Sequence, residues 1–168
     1  MKPNDLWRWD AVDIAAAIRT RRISSREAVE AHLARIDAAN PATNAVVDRM
    51  DEEALRAADA ADAAVRRGEA TGPLHGVPVT VKINIDMAGR PTTNGVVAFR
   101  EATAPADSPV VANWRAAGAI VAGRTNTPAF SYRWFTENEL HGETFNPWGR
   151  HITPGGSSGG ASAAVAAG

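Results

Sequence analysis

The sequence predicts an α/β protein whose sheet contains parallel neighbours, and three observations carry that prediction. Val77 to Lys82 (VPVTVK) and Ala119 to Gly123 (AIVAG) are short apolar runs of the kind that form buried strands. Between them lie a loop and one helical stretch, the strand–loop–helix–strand order of a crossover unit. The chain before Gly72 instead carries the periodicity and end signals of helices.

Residues 10–22 read as a helix, with Asp10 as its cap, Asp13 in the first turn, and Ile14 and Ile18 on one face. Ser24 to Glu27 (SSRE) fits a capping box, in which the serine meets the third amide and the glutamate reaches back. The helix it opens buries Val29, Leu33 and Ile36 and is expected to stop before Asn40–Pro41. Thr43 to Val47 reads as a short extended connection. A third, alanine-rich helix spans Asp51 to Arg67 and ends at Gly68. Residues 5–70 are thus expected as helical scaffold, and 71–168 as the sheet with its site. Pro78 near the start of the first strand is tolerable if the strand is short there. Gly89, Pro91 and Gly95 mark a loop. Asp107–Ser108–Pro109 then caps a helix with proline at its first position, and Gly118 closes it. Residues 124–153 read as one long irregular stretch, which inside a compact domain is usually functional. Singly, Phe130, Tyr132, Trp134 and Phe135 suit core packing; as a set beside a Gly–Ser turn they are candidates to line a pocket.

With 168 residues the chain is long enough for one domain with a real core. A net charge of −1 and scattered basic residues give no electrostatic case for nucleic acid. There is no cysteine, hence no disulfide framework and no thiolate ligand or nucleophile. MKPNDLWRWD lacks the apolar stretch of a signal peptide, and no run is long enough to span a bilayer. The expectation is a soluble, cytoplasmic protein.

The chemistry centres on residues 154–168, PGGSSGGASAAVAAG. As composition this is a flexible linker. As a pattern, Gly155, Gly156, Gly159 and Gly160 bracket Ser157 and Ser158 at the start of an alanine-rich helix, where close backbone approach and outward N–H groups suit a reacting serine. Lys82 is the second unusual residue, because it ends an apolar strand. It is either a snorkelling side chain or a desolvated amine whose lowered pKa lets it act as a base. His32, His75, His141 and His151 show no acidic partner at a telling spacing and read as structural. No cluster has metal-ligand spacing.

Together these features resemble the amidase signature family. GPLHGVPVTVKINID (Gly72 to Asp86), AGAIVAGRTNTPAF (Ala117 to Phe130), TEN (Thr136 to Asn138), NPW (Asn146 to Trp148) and the terminal PGGSSGGASAAVAAG follow the family's order. The similarity runs from about Asp10 to Gly168. It implies the amidase-signature fold, a mixed and largely parallel sheet flanked by helices. It also implies a Ser–cis-Ser–Lys triad, with Lys82 as general base and Ser157 as bridging serine. Ser158, Gly155 and Gly156 would support the turn; apart from the resemblance, the aromatic FSYRW (Phe130 to Trp134) suggests a pocket for an apolar amide, with Tyr132 and Trp134 in contact with substrate. The implied reaction is hydrolysis of a small-molecule amide, with no metal or cofactor, no nucleic acid and no membrane partner.

Two departures qualify the resemblance. Ile83 stands where many relatives place an acidic residue after the lysine. The family's nucleophile belongs to a later D-x-G-G-S-like block, which this sequence does not reach, so it reads as the N-terminal part of an amidase and is expected to be inactive alone. Ser108 caps a helix, and Ser131 lies in the aromatic loop. Unpaired strand edges then imply self-association, of which a homodimer is the simplest form. Two alternatives stand beside the hydrolase: the A subunit of a glutamine-dependent amidotransferase, and a non-catalytic module holding an anion at the helix N-terminus.

Overall fold

The computed structural model describes residues 3–69 and 71–168. Met1, Lys2 and Ala70, the last at the expected border between scaffold and sheet, lie outside them.

After a 3-10 turn at Pro3–Arg8 come three helices and one strand: α1 (Ala11–Arg19), α2 (Ser25–Thr43), β1 (Val46–Arg49) and α3 (Asp51–Arg67). Asp10 occupies the N-cap of α1, but its side chain makes no capping bond. The capping box of α2 forms as the sequence predicts. Ser24 Oγ accepts from Glu27 N at 3.0 Å, and the Glu27 carboxylate accepts from Ser24 N at 2.7 Å. Asp62 of α3 completes this helix end by accepting from the amides of Ser25 at 2.6 Å and Arg26 at 3.1 Å. Asp62→Ala strands two amides that water reaches poorly, since Ser25 is fully buried. It is expected to lower stability by about 1–2 kcal/mol, at the upper end for a lost cap. Thermal melts check this, with Asp59→Ala, which breaks only an exposed ion pair to Arg26, as the control that should barely move.

α2 does not stop before Asn40–Pro41 but runs on to Thr43 with Pro41 inside it. Proline so close to the end forfeits a single backbone bond, and the chain gains a better exit. Asn44 takes the left-handed C-cap, and the Asn40 side chain accepts from Ala45 N and Val46 N at 2.9 and 2.8 Å. That exit launches β1, where the sequence reads a mere connection. The helical scaffold therefore also contributes a sheet strand.

The sheet order is β1–β3–β2, with β3 (Ile120–Thr125) central, antiparallel to β1 and parallel to β2 (Pro78–Lys82). The sheet is thus mixed, as expected. α4 (Pro109–Ala116) makes the crossover, with Ser108 Oγ accepting from Val111 N and Gly118 in the left-handed region at φ 88°. β3 is buried at every position. Ile120 and Ala122 pack on Val29, Leu33, Ala54 and Ala58 of α2 and α3, while Val121 joins Val81, Met87 and Val111 on the other face. The stretch 124–153 is not wholly irregular. It begins with the end of β3 and holds a small antiparallel hairpin, β4 (Glu137–Asn138) and β5 (Gly142–Glu143). α5 (Gly159–Ala167) closes the chain. No helix among the described residues is long and apolar enough to cross a membrane.

Candidate active site

Lys82 is the last residue of β2, in register with Thr125 at the carboxyl end of the parallel pair. The turn after it is held from β3. Arg124 is fully buried and donates to the carbonyls of Ile83 and Ile85 at 3.1 Å each and of Pro91 at 2.6 Å. Its charge is balanced by Asp48 at 3.5 Å. The direction in which Lys82 leaves the strand is therefore fixed by buried polar contacts.

The Gly–Ser turn arrives from the opposite side. Gly155 takes φ 83°, and the Gly156–Ser157 peptide bond is cis. A Cβ on Gly156 would stand 2.4 Å from Arg133 O and 2.7 Å from Phe135 N, so only glycine lets the turn rest on that backbone. Thr136 Oγ1 donates to Gly155 O at 3.0 Å and accepts from Gly159 N at 3.1 Å, tying the turn to the start of α5. The result is close approach across the sequence. Lys82 Nζ lies 2.8 Å from Ser157 Oγ and 3.1 Å from Ser158 Oγ, residues 75 and 76 positions away. The amine is half-buried, and desolvation pushes its pKa below the ordinary lysine value.

A family model described as Amidase matches residues 27–168. The chain belongs to the amidase family. It is 59% identical over 163 residues to an indoleacetamide hydrolase of Bradyrhizobium diazoefficiens, covering 97% of this chain and 31% of that protein. It is 47% identical over 154 residues to the A subunit of a glutamyl-tRNA(Gln) amidotransferase from Alkalilimnicola ehrlichii, covering 92% of this chain and 32% of that protein. Among solved structures, a bacterial aryl acylamidase of the amidase signature family superposes with a TM-score of 0.88 at 33% identity, over 92% of this chain and 32% of that one. The chain thus spans about a third of the length of the curated relatives it matches.

In this amidase-family chain the aromatic residues do not pack in the core. Tyr132 and Trp134 are 88% and 87% exposed, and Phe130 and Phe135 are 50% and 42% exposed. It is the backbone of 133–135, not the rings, that supports the turn at Gly156. A groove of about 660 Å³ runs between Trp7, Arg35, Val79 and Ala167, away from the Lys82–Ser157 contact and from Tyr132 and Trp134. Phe130 meets Phe99 edge-on at 5.9 Å. His32 and His75 hydrogen-bond the carbonyls of Ala28 and Ala61.

The floor of the site is a buried amide network. Asn126 Nδ2 donates to Gly142 O and Thr144 Oγ1, while its Oδ1 accepts from Asn138 Nδ2 at 2.8 Å and Thr127 N at 3.0 Å. Thr127, also fully buried, donates from Oγ1 to Ser157 O at 3.1 Å. Sequence reasoning passed over Arg124, Asn126 and Thr127. Arg124 carried a signal of the kind that drew attention to Lys82, a cation at the end of an apolar run. The two others stood out only as members of the block AGAIVAGRTNTPAF.

Proposed function

We propose that this chain supplies the lysine and bridging serine of an amidase that hydrolyses carbon–nitrogen bonds of small-molecule amides, as the N-terminal portion of a single amidase domain. The observation that carries the reading is the 2.8 Å approach of the half-buried Lys82 amine to Ser157 Oγ. Neutral Lys82 takes the Ser157 hydroxyl proton while Ser157 takes that of a nucleophilic serine, which attacks the amide carbon. The proton returns by the same path to the leaving nitrogen, and water then cleaves the ester so formed. Ser158 holds Lys82 from its second side. The chain spans about a third of the length of the curated relatives it matches, and the nucleophile is assigned to the part of the amidase domain that it does not cover.

The 59% identical relative, named as an indoleacetamide hydrolase, supports an arylacetamide as the substrate class. Joining residues 1–168 to the remaining two-thirds of that relative provides the test. The chimera is expected to release ammonia from indole-3-acetamide without any partner protein. A folded chimera that fails on arylacetamides, yet turns over glutamine once paired with the other components of an amidotransferase, would favour the second reading, for which the 47% identity to an amidotransferase chain speaks.

A further inference from the structure

The Lys82–Ser157 pair is closed into a ring by a residue outside both the Lys82 strand and the Gly–Ser turn. Ser131 lies in the aromatic loop, and its hydroxyl contacts two other segments as well as Thr127 of its own. Asn84 Nδ2 donates to Ser131 Oγ at 3.1 Å, Ser131 Oγ donates to Thr127 Oγ1 at 2.9 Å, and Asn94 Oδ1 lies 2.9 Å from the same hydroxyl. Thr127 in turn donates to the carbonyl of Ser157. Asn84 follows Lys82 by two residues in the turn that leaves β2. Side chains therefore run from the Lys82 turn through Asn84, Ser131 and Thr127 to Ser157, and the Lys82–Ser157 contact completes the circuit.

The backbone at the junction is unusual too. Phe130 and Ser131 both sit in the left-handed region, at φ 55° and 58°, and neither is glycine. Such residues are uncommon and persist where surrounding structure imposes them, most often at functional sites. The imposing contact is visible: Phe130 N donates to the carbonyl of Asn94, itself left-handed at φ 48°. A loop serine serving only its own loop would find its partners there. Two partners of Ser131 lie at positions 84 and 94, in separate stretches of the chain, and the third, Thr127, carries the contact on to Ser157.

We infer that Ser131 is a positioning residue, whose hydroxyl locks the Ser157 carbonyl to the Lys82 turn and so holds Ser157 Oγ on the Lys82 amine. The inference deepens the proposed function and rests on its assignment of Lys82 and Ser157.

The test uses the full 168-residue chain with isotope-labelled lysine and amide nitrogen, and two substitutions. Ser131→Gly keeps the left-handed backbone accessible while deleting the hydroxyl, and Thr127→Val deletes the next link at nearly constant shape. Both are expected to displace the Ser157 amide resonance and to move the Lys82 side-chain titration upward, toward an ordinary lysine, as water gains access. An unmoved Ser157 resonance and unchanged titration in Ser131→Gly would overturn the positioning role. If that variant fails to fold, the same two readouts in Thr127→Val decide in the same way. An ordinary titration of Lys82 in the unsubstituted chain would instead overturn the base assignment, and the Ser157 resonance would still report on the ring.

Discussion

Lys82→Ala in the chimera is expected to lower kcat for arylacetamide hydrolysis by about 10²–10⁴-fold, the range for loss of a positioned general base. KM should change little, because Lys82 is assigned to the proton path and not to the substrate. Lys82→Arg should fare no better: a guanidinium fills the space but stays protonated and cannot accept the Ser157 proton. Ser157→Ala should cost a similar factor, and the double variant little more than either single one, since residues that act as a unit are not additive. The pH dependence has a definite sign. Activity needs the neutral amine, and desolvation lowers the Lys82 pKa. The rate should therefore rise with pH and level off at a lower pH than an ordinary lysine would give. Steady-state rates against pH, with circular dichroism to confirm folding, decide the matter.

Gly160→Ala should produce a large loss of stability. Its Cβ would lie 2.4 Å from Asn126 N and 2.6 Å from Asn126 O, and these are backbone atoms that no rotamer change can move aside. Asn126 cannot shift without breaking the bonds to Gly142, Thr144 and Asn138 that form the floor of the site. Gly160 lies within α5, so alanine gains up to about 1 kcal/mol of helix propensity. Overpacking against a rigid wall costs about 1–3 kcal/mol, and disruption of a buried polar network adds to it. A net loss of about 2 kcal/mol or more is expected. Gly68→Ala is the contrast: it sits at φ 72° with open space around it, so only local strain of about 1 kcal/mol opposes it. Chemical denaturation of the two variants side by side separates steric from conformational effects.

Much of the fold was legible because local chemistry specified it. The Ser24–Glu27 box, the Ser108–Pro109 start and the glycines at 68 and 118 each mark an element end through a backbone requirement that the structure shows in place. β1 was not legible. Its four residues, VVDR, carry little pattern, and the strand exists because Asn40 and Asn44 redirect the chain onto the edge of β3. The aromatic loop misled for a related reason. Apolar side chains suggest burial, yet here the backbone of Arg133–Phe135 does the packing and the rings stay outside. At the site, Lys82 and the Gly–Ser turn stood out as departures from composition. Thr127 and Ser131 did not, since a hydroxyl in a polar loop is ordinary until the fold shows what it touches.

If Lys82 presents a desolvated amine to Ser157, the titration of its side chain shows it without any chimera or substrate. The chain contains only two lysines, Lys2 and Lys82, so a lysine-labelled sample gives two side-chain signals, assigned by Lys82→Arg. The Lys82 signal is expected to titrate below the ordinary lysine value of about 10.4, and Ser157→Ala is expected to displace it. A Lys82 signal that titrates as an ordinary lysine and ignores Ser157→Ala would contradict the assignment of Lys82 as the base.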